Sequence, residues 1–115
     1  YQYFDKGGNH IANKIREVQG KKFWSEGNLS SSGLFGQNVF GQAGKFVTVC
    51  EGEIDAMSAY ELLGSKWPVV SIKNGAASAL ENCRQSFEYL NKFESVVLCL
   101  VECYNIYTCR YCKPS

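Results

Sequence analysis

Along residues 46–101, short apolar runs alternate with segments in which apolar residues recur at helical spacing. This pattern predicts the order strand, helix, strand, helix, strand. Three short apolar runs rich in β-branched residues are typical of strands: Phe46–Cys50, Pro68–Ile72 and Ser95–Val101. The last run is almost continuously apolar, which predicts a strand in the buried interior of a sheet. Because right-handed crossover helices join parallel strands, the whole order predicts an α/β fold with a parallel β-α-β-α-β sheet.

The two predicted helices repeat apolar residues at a spacing of three and four. The first covers Ile54–Leu63 and ends at Gly64, a residue often found just after a helix. The second covers Ser78–Leu90, with Ser78 and Glu81 placed to form a capping box. The inward stripe of the first helix consists of Ala56, Ala59, Tyr60 and Leu63. The inward stripe of the second consists of Leu80, Cys83, Phe87 and Leu90.

The first 45 residues have a different character, because they are rich in Gly, Lys, Asn and Ser. Their loose alternation predicts short strands, with a hairpin turn at Lys6–Asn9. They carry six Lys/Arg against three acids, whereas residues 46–102 carry four against eight. We therefore expect a small basic β subdomain over residues 1–45, a core over 46–102 and a separate tail over 103–115. A basic arm beside an acidic core suits a polyanion, although chance segregation would produce the same pattern.

Composition restricts the class of protein further. The chain has 115 residues, enough for one modest core, and no apolar run approaches the roughly 20 residues needed to cross a bilayer. It begins at Tyr1 without a leader-like segment, so we expect a fragment of a longer, non-secreted protein. The six cysteines are irregularly spaced and half of them fall in apolar segments, which favours a reduced intracellular setting over a disulfide framework.

Three carboxylates cluster where the first strand meets the first helix. Glu51 follows the strand directly, and the carboxyl ends of parallel strands are where sites form in such sheets. Gly52 would allow a sharp turn there. Glu53 and Asp55 fall in the first helical turn, where negative charge is favoured with or without a function. Glu51 is therefore the strongest candidate for a metal ligand or general acid/base.

The block "VCEGEIDAMSAYELLGSKWPVVSIKNGAAS" resembles the toprim domain of phage-type primase–helicases, to which mitochondrial Twinkle is related. Such domains have a strand ending in Glu-Gly, a helix, a second strand with a glycine-containing loop, and a third strand. The upstream "IANKIREV" and "LFGQNVF" resemble the small basic subdomain that precedes toprim in these primases. The resemblance covers roughly residues 9–100.

The resemblance implies synthesis of short RNA primers from ribonucleoside triphosphates on single-stranded DNA, in the cytoplasm of a phage-infected bacterium. It implies a Mg²⁺ (or Mn²⁺) site in which Glu51 acts as catalytic residue and ligand and Asp55 as a second ligand. Lys14 and Arg16 match basic positions that contact nucleotide or template, and Lys21 or Lys22 matches a further one. Zinc-binding and helicase domains of the parent protein are the implied partners, and no membrane is implied.

The chain departs from the family after the third strand. An Asp-x-Asp pair is expected there, but the two places hold Val101 and Cys103, with Glu102 between them on the opposite face. Three explanations of this departure remain open. The end of the chain could be foreign or frame-shifted, the toprim domain could be naturally degenerate, or the cysteines could form a new metal site. The cysteines of that possible metal site are Cys99, Cys103, Cys109 and Cys112. We expect the isolated chain to be weak or inactive in primer synthesis.

Two other functions use the same features. A toprim nuclease or topoisomerase fragment would use the same carboxylates for strand cleavage, but the basic N-terminal arm favours a primase. A non-catalytic nucleic-acid-binding module would keep the basic residues without depending on a metal. A magnesium titration of the Glu51→Ala variant would separate that module from an enzyme.

Overall fold

A computed structural model of the chain describes residues 1–20, 22–40 and 43–99. Its N-terminal part contains three strands, β1 (Gln2–Phe4), β2 (His10–Arg16) and β3 (Phe23–Gly27), paired antiparallel in that order. The turn between β1 and β2 lies at the predicted place, with Gly8 at a positive φ of 82°. The Asp5 carboxylate accepts hydrogen bonds from the backbone of Gly7 and Asn9, which stabilises this turn.

The second sheet is parallel and consists of β4 (Gly44–Cys50), β5 (Val69–Ser71) and β6 (Phe93–Cys99), in the order β5-β4-β6. Helix α1 (Glu53–Leu62) connects β4 to β5. The short helices α2 (Ala79–Gln85) and α3 (Phe87–Leu90) connect β5 to β6. The predicted parallel β-α-β-α-β sheet with a small N-terminal β region is therefore confirmed. The carboxyl end of the central strand β4 lies between those of β5 and β6.

Apolar side chains are buried on both faces of the parallel sheet. The face that α1 covers buries Cys50, Ala56 and Val69. The other face holds the larger cluster, which includes Val47, Val49, Val70, Ile72, Tyr89 and Leu90. Alternation along β4 explains this division, since successive strand residues point to opposite faces. The sheet is thus covered on both sides, as parallel sheets usually are.

The helix ends and faces differ in part from those predicted. Gly64 ends α1 as predicted, with φ +83° and its N–H donating to the carbonyl of Glu61. Leu63, which was predicted to lie on the inward stripe of α1, is 43% exposed. The predicted second helix is divided at Ser86, and its stripe is wrong for Leu80 and Phe87, which are 73% and 61% exposed.

Polar residues explain why the second stripe is rotated. Asn82 is buried, and its Oδ1 accepts a hydrogen bond of 2.6 Å from the backbone N–H of Lys73. Asn82 and Ser86 are buried, Ala79 and Cys83 of the same helix pack partly against the core, and after the break at Ser86 the buried residues are Tyr89 and Leu90. The predicted capping box is also wrong, because Ser78 makes no side-chain cap hydrogen bond.

Strand β6 is more exposed than its sequence predicts. Val96 and Val97 are each 41% exposed, and β6 lies at the edge of the sheet formed by the described strands. The prediction of a buried interior strand is wrong for this part of the chain. Within the described ranges, no helix is both long and apolar enough to cross a bilayer.

Candidate functional site

The link between β4 and α1 places the predicted carboxylates at the carboxyl end of the central strand. Glu51 is half-buried immediately after β4, and Gly52 is the N-cap of α1. Gly52 has φ −127° and ψ 162°, an extended conformation that any residue adopts, so the expected glycine-dependent turn is wrong. A Cβ there would lie 3.2 Å from Oδ2 of Asp55, a close contact with the end of a flexible side chain.

The three acidic side chains line one cavity of about 550 Å³. Glu51, Glu53 and Asp55 form one wall, and Asn74 and Gly75, which follow β5, contribute to another. The N-terminal sheet closes the cavity with residues of β2 and β3. The seam between strand and helix is therefore a concave site, as the sheet topology predicts.

Glu53 is a buried partner in an ion pair, not a solvent-facing acid of a first helical turn. It is 6% exposed, and its Oε2 accepts a 2.5 Å hydrogen bond from the hydroxyl of Tyr3. The ammonium of Lys14 lies 3.0 Å from the same oxygen and donates to the carbonyl of Lys73 at 2.8 Å. Glu53 thus connects β1 and β2 to the start of α1. We name Tyr3, Lys14 and Glu53 the inter-sheet network.

Burial holds Tyr3 in its protonated form. Burial is the largest cause that raises the pKa of the Tyr3 phenol, and the hydrogen bond to Glu53 raises it further. At neutral pH the hydroxyl therefore remains a donor to the carboxylate. Tyr3 pairs with Ala12 across β1 and β2, so Tyr3, Ala12 and Lys14 share one face of this sheet. That alternation is the signal from which the burial of Lys14 could have been predicted.

The predicted basic residues are distributed unequally around the site. Lys14 lines the cavity, and Arg16 lines an adjoining pocket of about 200 Å³ together with Lys14, Glu53 and Asp55. Because Lys14 and Arg16 are two residues apart on β2, they lie on the same face. Lys22 is exposed just before β3. Lys21 lies outside the described residues.

Lys73 follows β5 at the same sheet edge, but its side chain turns away from the cavity. It is 2% exposed, and its ammonium donates to the backbone carbonyls of Leu29, Ser30 and Ser32 at 2.9–3.2 Å. The side-chain oxygen of Gln85 is a further acceptor at 3.2 Å. Burial lowers the pKa of Lys73. This lysine therefore anchors the segment after β3, which borders the cavity.

Two aromatic side chains at the mouth of the cavity were not among the predicted site residues. Phe23 and Trp24, at the start of β3, are 64% and 50% exposed and both line the cavity. The ammonium of Lys14 lies 5.9 Å from the centre of the Phe23 ring, within the range of a cation–π contact. Two adjacent large aromatics in an otherwise polar segment are the signal that could have identified them.

The acidic wall is suited to a hard divalent cation. Mg²⁺ in proteins is commonly bound by one or two carboxylates together with water and substrate phosphates. Glu51 and Asp55 line the cavity as such a pair. Oε2 of Glu53 is bonded to the Lys14 ammonium and the Tyr3 hydroxyl. Among the described residues, no three His, Cys, Asp or Glu side chains are placed to hold one metal ion together. The places of the expected Asp-x-Asp pair, and Cys103, Cys109 and Cys112, lie outside the described residues.

Comparison with known proteins places this geometry among phage replication proteins. No family model matches the chain. Over 96 residues, which are 84% of this chain, it is 38% identical to the DNA helicase/primase of Enterobacteria phage T3. The matched segment is 17% of that relative, so the chain spans about a sixth of its length.

Two solved structures share the fold. The primase fragment of the bacteriophage T7 primase-helicase protein matches with a TM-score of 0.77 and 37% identity, over 86% of this chain and 41% of the other. A structure of the T7 lagging-strand DNA polymerase interacting with two primase domains bound to an RNA/DNA hybrid and dTTP matches with a TM-score of 0.75. That match has 36% identity over 86% of this chain and 50% of the other.

Proposed function

Because the chain is a toprim fragment related to the phage primase–helicases, we propose that it forms the catalytic core for metal-dependent synthesis of RNA primers on single-stranded DNA. One observation carries the proposal. Glu51 and Asp55, at the carboxyl end of β4, line the same cavity as Lys14 from the N-terminal sheet. Acidic and basic groups thus converge on a space large enough for a nucleotide.

The two walls of the cavity have different roles in the proposal. Glu51 and Asp55 would hold Mg²⁺ or Mn²⁺, which neutralises phosphate charge during phosphoryl transfer when it is bound. Lys14 and Arg16, on one face of β2, would contact the phosphates of a ribonucleoside triphosphate or of the template strand. The inter-sheet network would hold Lys14 in place, because its ammonium bonds to Glu53 and to the Lys73 carbonyl.

Primer synthesis by the chain alone should be weak. The positions where the family has an Asp-x-Asp pair are Val101 and Cys103 in this sequence, so two carboxylates of the expected set are missing. In the proposal, zinc-binding and helicase domains of a longer parent protein are the partners of this core.

The test combines metal binding with product formation. Binding of Mn²⁺, followed by electron paramagnetic resonance, should be lost in Glu51→Gln and Asp55→Asn but retained in Glu61→Gln, a matched control exposed on α1. Whatever oligoribonucleotide the chain synthesises on single-stranded DNA should be lost in the first two variants, since even outer-shell partners of a metal commonly cost 10- to 100-fold.

Two results would contradict the proposal. If Glu51→Gln bound Mn²⁺ as well as the parent chain does, the acidic wall would not be the metal site. If DNA binding were unaffected by both metal and Glu51→Gln, and no oligoribonucleotide formed at all, a non-catalytic nucleic-acid-binding module would be the better description. Abundant primer from this chain would contradict the role given to the missing aspartates.

A further inference from the structure

The ammonium of Lys73 is a buried cation whose four acceptors are all uncharged oxygens. They lie at 2.9–3.2 Å and comprise three backbone carbonyls, of Leu29, Ser30 and Ser32, and Oε1 of Gln85. We name these four oxygens the oxygen cage. Lys73 is 2% exposed, and a lysine is rarely so buried unless a partner compensates its charge. Here the compensation comes from dipoles, because each cage oxygen is the negative end of a carbonyl group.

The oxygen cage has the chemistry of a site for a small monovalent cation. Leu29–Ser31 form a short 3₁₀ turn, and carbonyls at the end of a helical turn have no partner within it. Proteins that bind K⁺ use converging backbone carbonyls of this kind, which replace the hydration shell of the ion. An ammonium group has the same charge, and in this chain it is attached to a side chain.

The main chain of Lys73 connects the oxygen cage to the candidate site. The carbonyl of Lys73 accepts the 2.8 Å hydrogen bond from the Lys14 ammonium. Asn74 and Gly75, which follow it, line the carboxylate cavity, and so does Leu29 of the cage. Lys73 therefore fixes two walls of the cavity to each other and holds an acceptor of Lys14 at their junction.

We propose that the oxygen cage is a monovalent-cation site that the chain fills with its own Lys73 ammonium, and that Lys73 is thereby a positioning residue for Lys14. In this proposal Lys73 does not touch a ligand in the cavity. It sets the place of the carbonyl to which Lys14 bonds, and through Lys14 it affects ligand binding. The oxygen cage is independent of the proposed function, whereas the expected effect on nucleotide binding rests on it.

Chemical rescue tests the oxygen cage in the full 115-residue chain. Lys73→Ala removes the ammonium with its stem and leaves space for a small cation. Its thermal midpoint should lie below that of the parent chain, and ammonium or K⁺ should raise it saturably. Tetramethylammonium at the same ionic strength is too large for the cage and should not raise it. The parent chain, whose cage is filled, should respond to the three salts alike.

Nuclear magnetic resonance tests the effect on Lys14. The ¹⁵N resonance of the Lys14 ammonium, assigned from its loss in Lys14→Arg, should shift in Lys73→Ala and return when ammonium is added. Lys73→Met keeps most of the apolar stem and should show the same shift. Lys92→Met, at an exposed position before β6, is the matched control and should leave the resonance unchanged. If Lys73→Ala folds in none of the salts, Lys73→Met against this control decides the positioning role.

Binding measurements extend the test to the cavity. Lys73→Met should weaken binding of a ribonucleoside triphosphate by about tenfold, the lower end of what outer-shell partners cost at metal sites. Binding of Mn²⁺ alone, which depends on Glu51 and Asp55 in the proposed function, should stay unchanged. A general loss of structure would weaken both. In Lys73→Ala, ammonium should restore nucleotide affinity together with the thermal midpoint.

Three results would overturn the inference. Small cations might rescue Lys73→Ala no better than tetramethylammonium, Lys73→Met might be as stable as Lys92→Met, or the Lys14 resonance might be the same in Lys73→Met as in the parent chain. Each leaves the proposed function standing as long as Mn²⁺ binding depends on Glu51. If Mn²⁺ binding does not depend on Glu51 or Asp55, the proposed function is wrong, and rescue by small cations with the Lys14 resonance still decides the oxygen cage.

Discussion

The ammonium of Lys14 lies 3.0 Å from Oε2 of Glu53, and the two side chains are only 19% and 7% exposed. The contact joins β2 of the antiparallel sheet to the first turn of α1 beside the parallel sheet. Lys14, a basic residue of the candidate site, therefore also helps to hold the two sheets together. Its position depends on the carboxylate that it neutralises, and the stability of the sheet-to-sheet contact depends on the same pair.

Removing Lys14 should destabilise the fold. Lys14→Met leaves the buried Glu53 carboxylate without its ion-pair partner, which should lower the free energy of unfolding by about 3 kcal/mol. Urea denaturation measures the change. Lys22→Met, at an exposed position, should stay within about 0.5 kcal/mol of the parent chain. Adding Glu53→Gln to Lys14→Met should recover part of the loss, and equal costs for Lys14→Met and Lys22→Met would contradict the prediction.

Tyr3→Phe should have a smaller but clear effect. The variant removes the hydroxyl that donates to Glu53 at 2.5 Å and leaves the ring in place. Hydrogen bonds to charged groups commonly contribute about 1.5–3 kcal/mol, so a loss of about that size is expected in the free energy of unfolding. Tyr1→Phe, whose ring packs edge-on against Phe35, is the control and should change the stability little. A Tyr3→Phe chain as stable as the Tyr1→Phe chain would show that the buried hydroxyl contributes nothing.

Gly27 should tolerate no side chain. It lies at the end of β3 with φ +81°, and a Cβ there would come within 2.3 Å of the carbonyl oxygen of Ile11. Gly8 has a similar φ of +82°, but nothing lies within 4 Å of a Cβ built there. Gly8→Ala therefore measures the cost of the backbone conformation without a steric clash. Gly8→Ala should cost about 1–2 kcal/mol in thermal or urea unfolding, and Gly27→Ala should cost clearly more. Similar costs for the two variants would contradict the steric argument.

Stability should fall as pH rises above about 10, the ordinary pKa of tyrosine. Burial raises the pKa of Tyr89 to about 12, so in this interval the folded chain keeps a proton that the unfolded chain has released. The unfolded state then binds fewer protons, and the free energy of unfolding decreases with pH. The raised pKa of Tyr3 acts in the same direction.

Tyr89→Phe tests this dependence. The variant loses the hydrogen bond from the hydroxyl to the carbonyl of Phe40 at every pH, which a measurement at neutral pH records separately. Its denaturation midpoint should then decline less steeply than that of the parent chain at alkaline pH. Parallel declines would show that Tyr89 does not contribute to the pH dependence.

Local pattern was enough to predict the framework of the fold. The apolar runs ending at Cys50 and Ile72 identify strands β4 and β5, and the helical spacing between them identifies α1. The predicted resemblance to phage-type primase–helicases is confirmed by the T3 and T7 matches. Glu51 and Asp55 meet because they lie four residues apart at one strand-to-helix link, and Asn74 joins them because the carboxyl ends of parallel strands face the same edge.

Only the tertiary structure decided what several individual side chains do. Glu53 and Lys73 look like charged residues at the edge of a site, yet both are buried and bonded across the fold, Glu53 to Tyr3 and Lys73 to Ser32. Asn82 takes the inward place predicted for Leu80, because it accepts the Lys73 N–H. Periodicity reports which face of an element is apolar, whereas burial of a charge depends on a partner from another element. That partner is set by packing across the two sheets, which no local window of sequence contains.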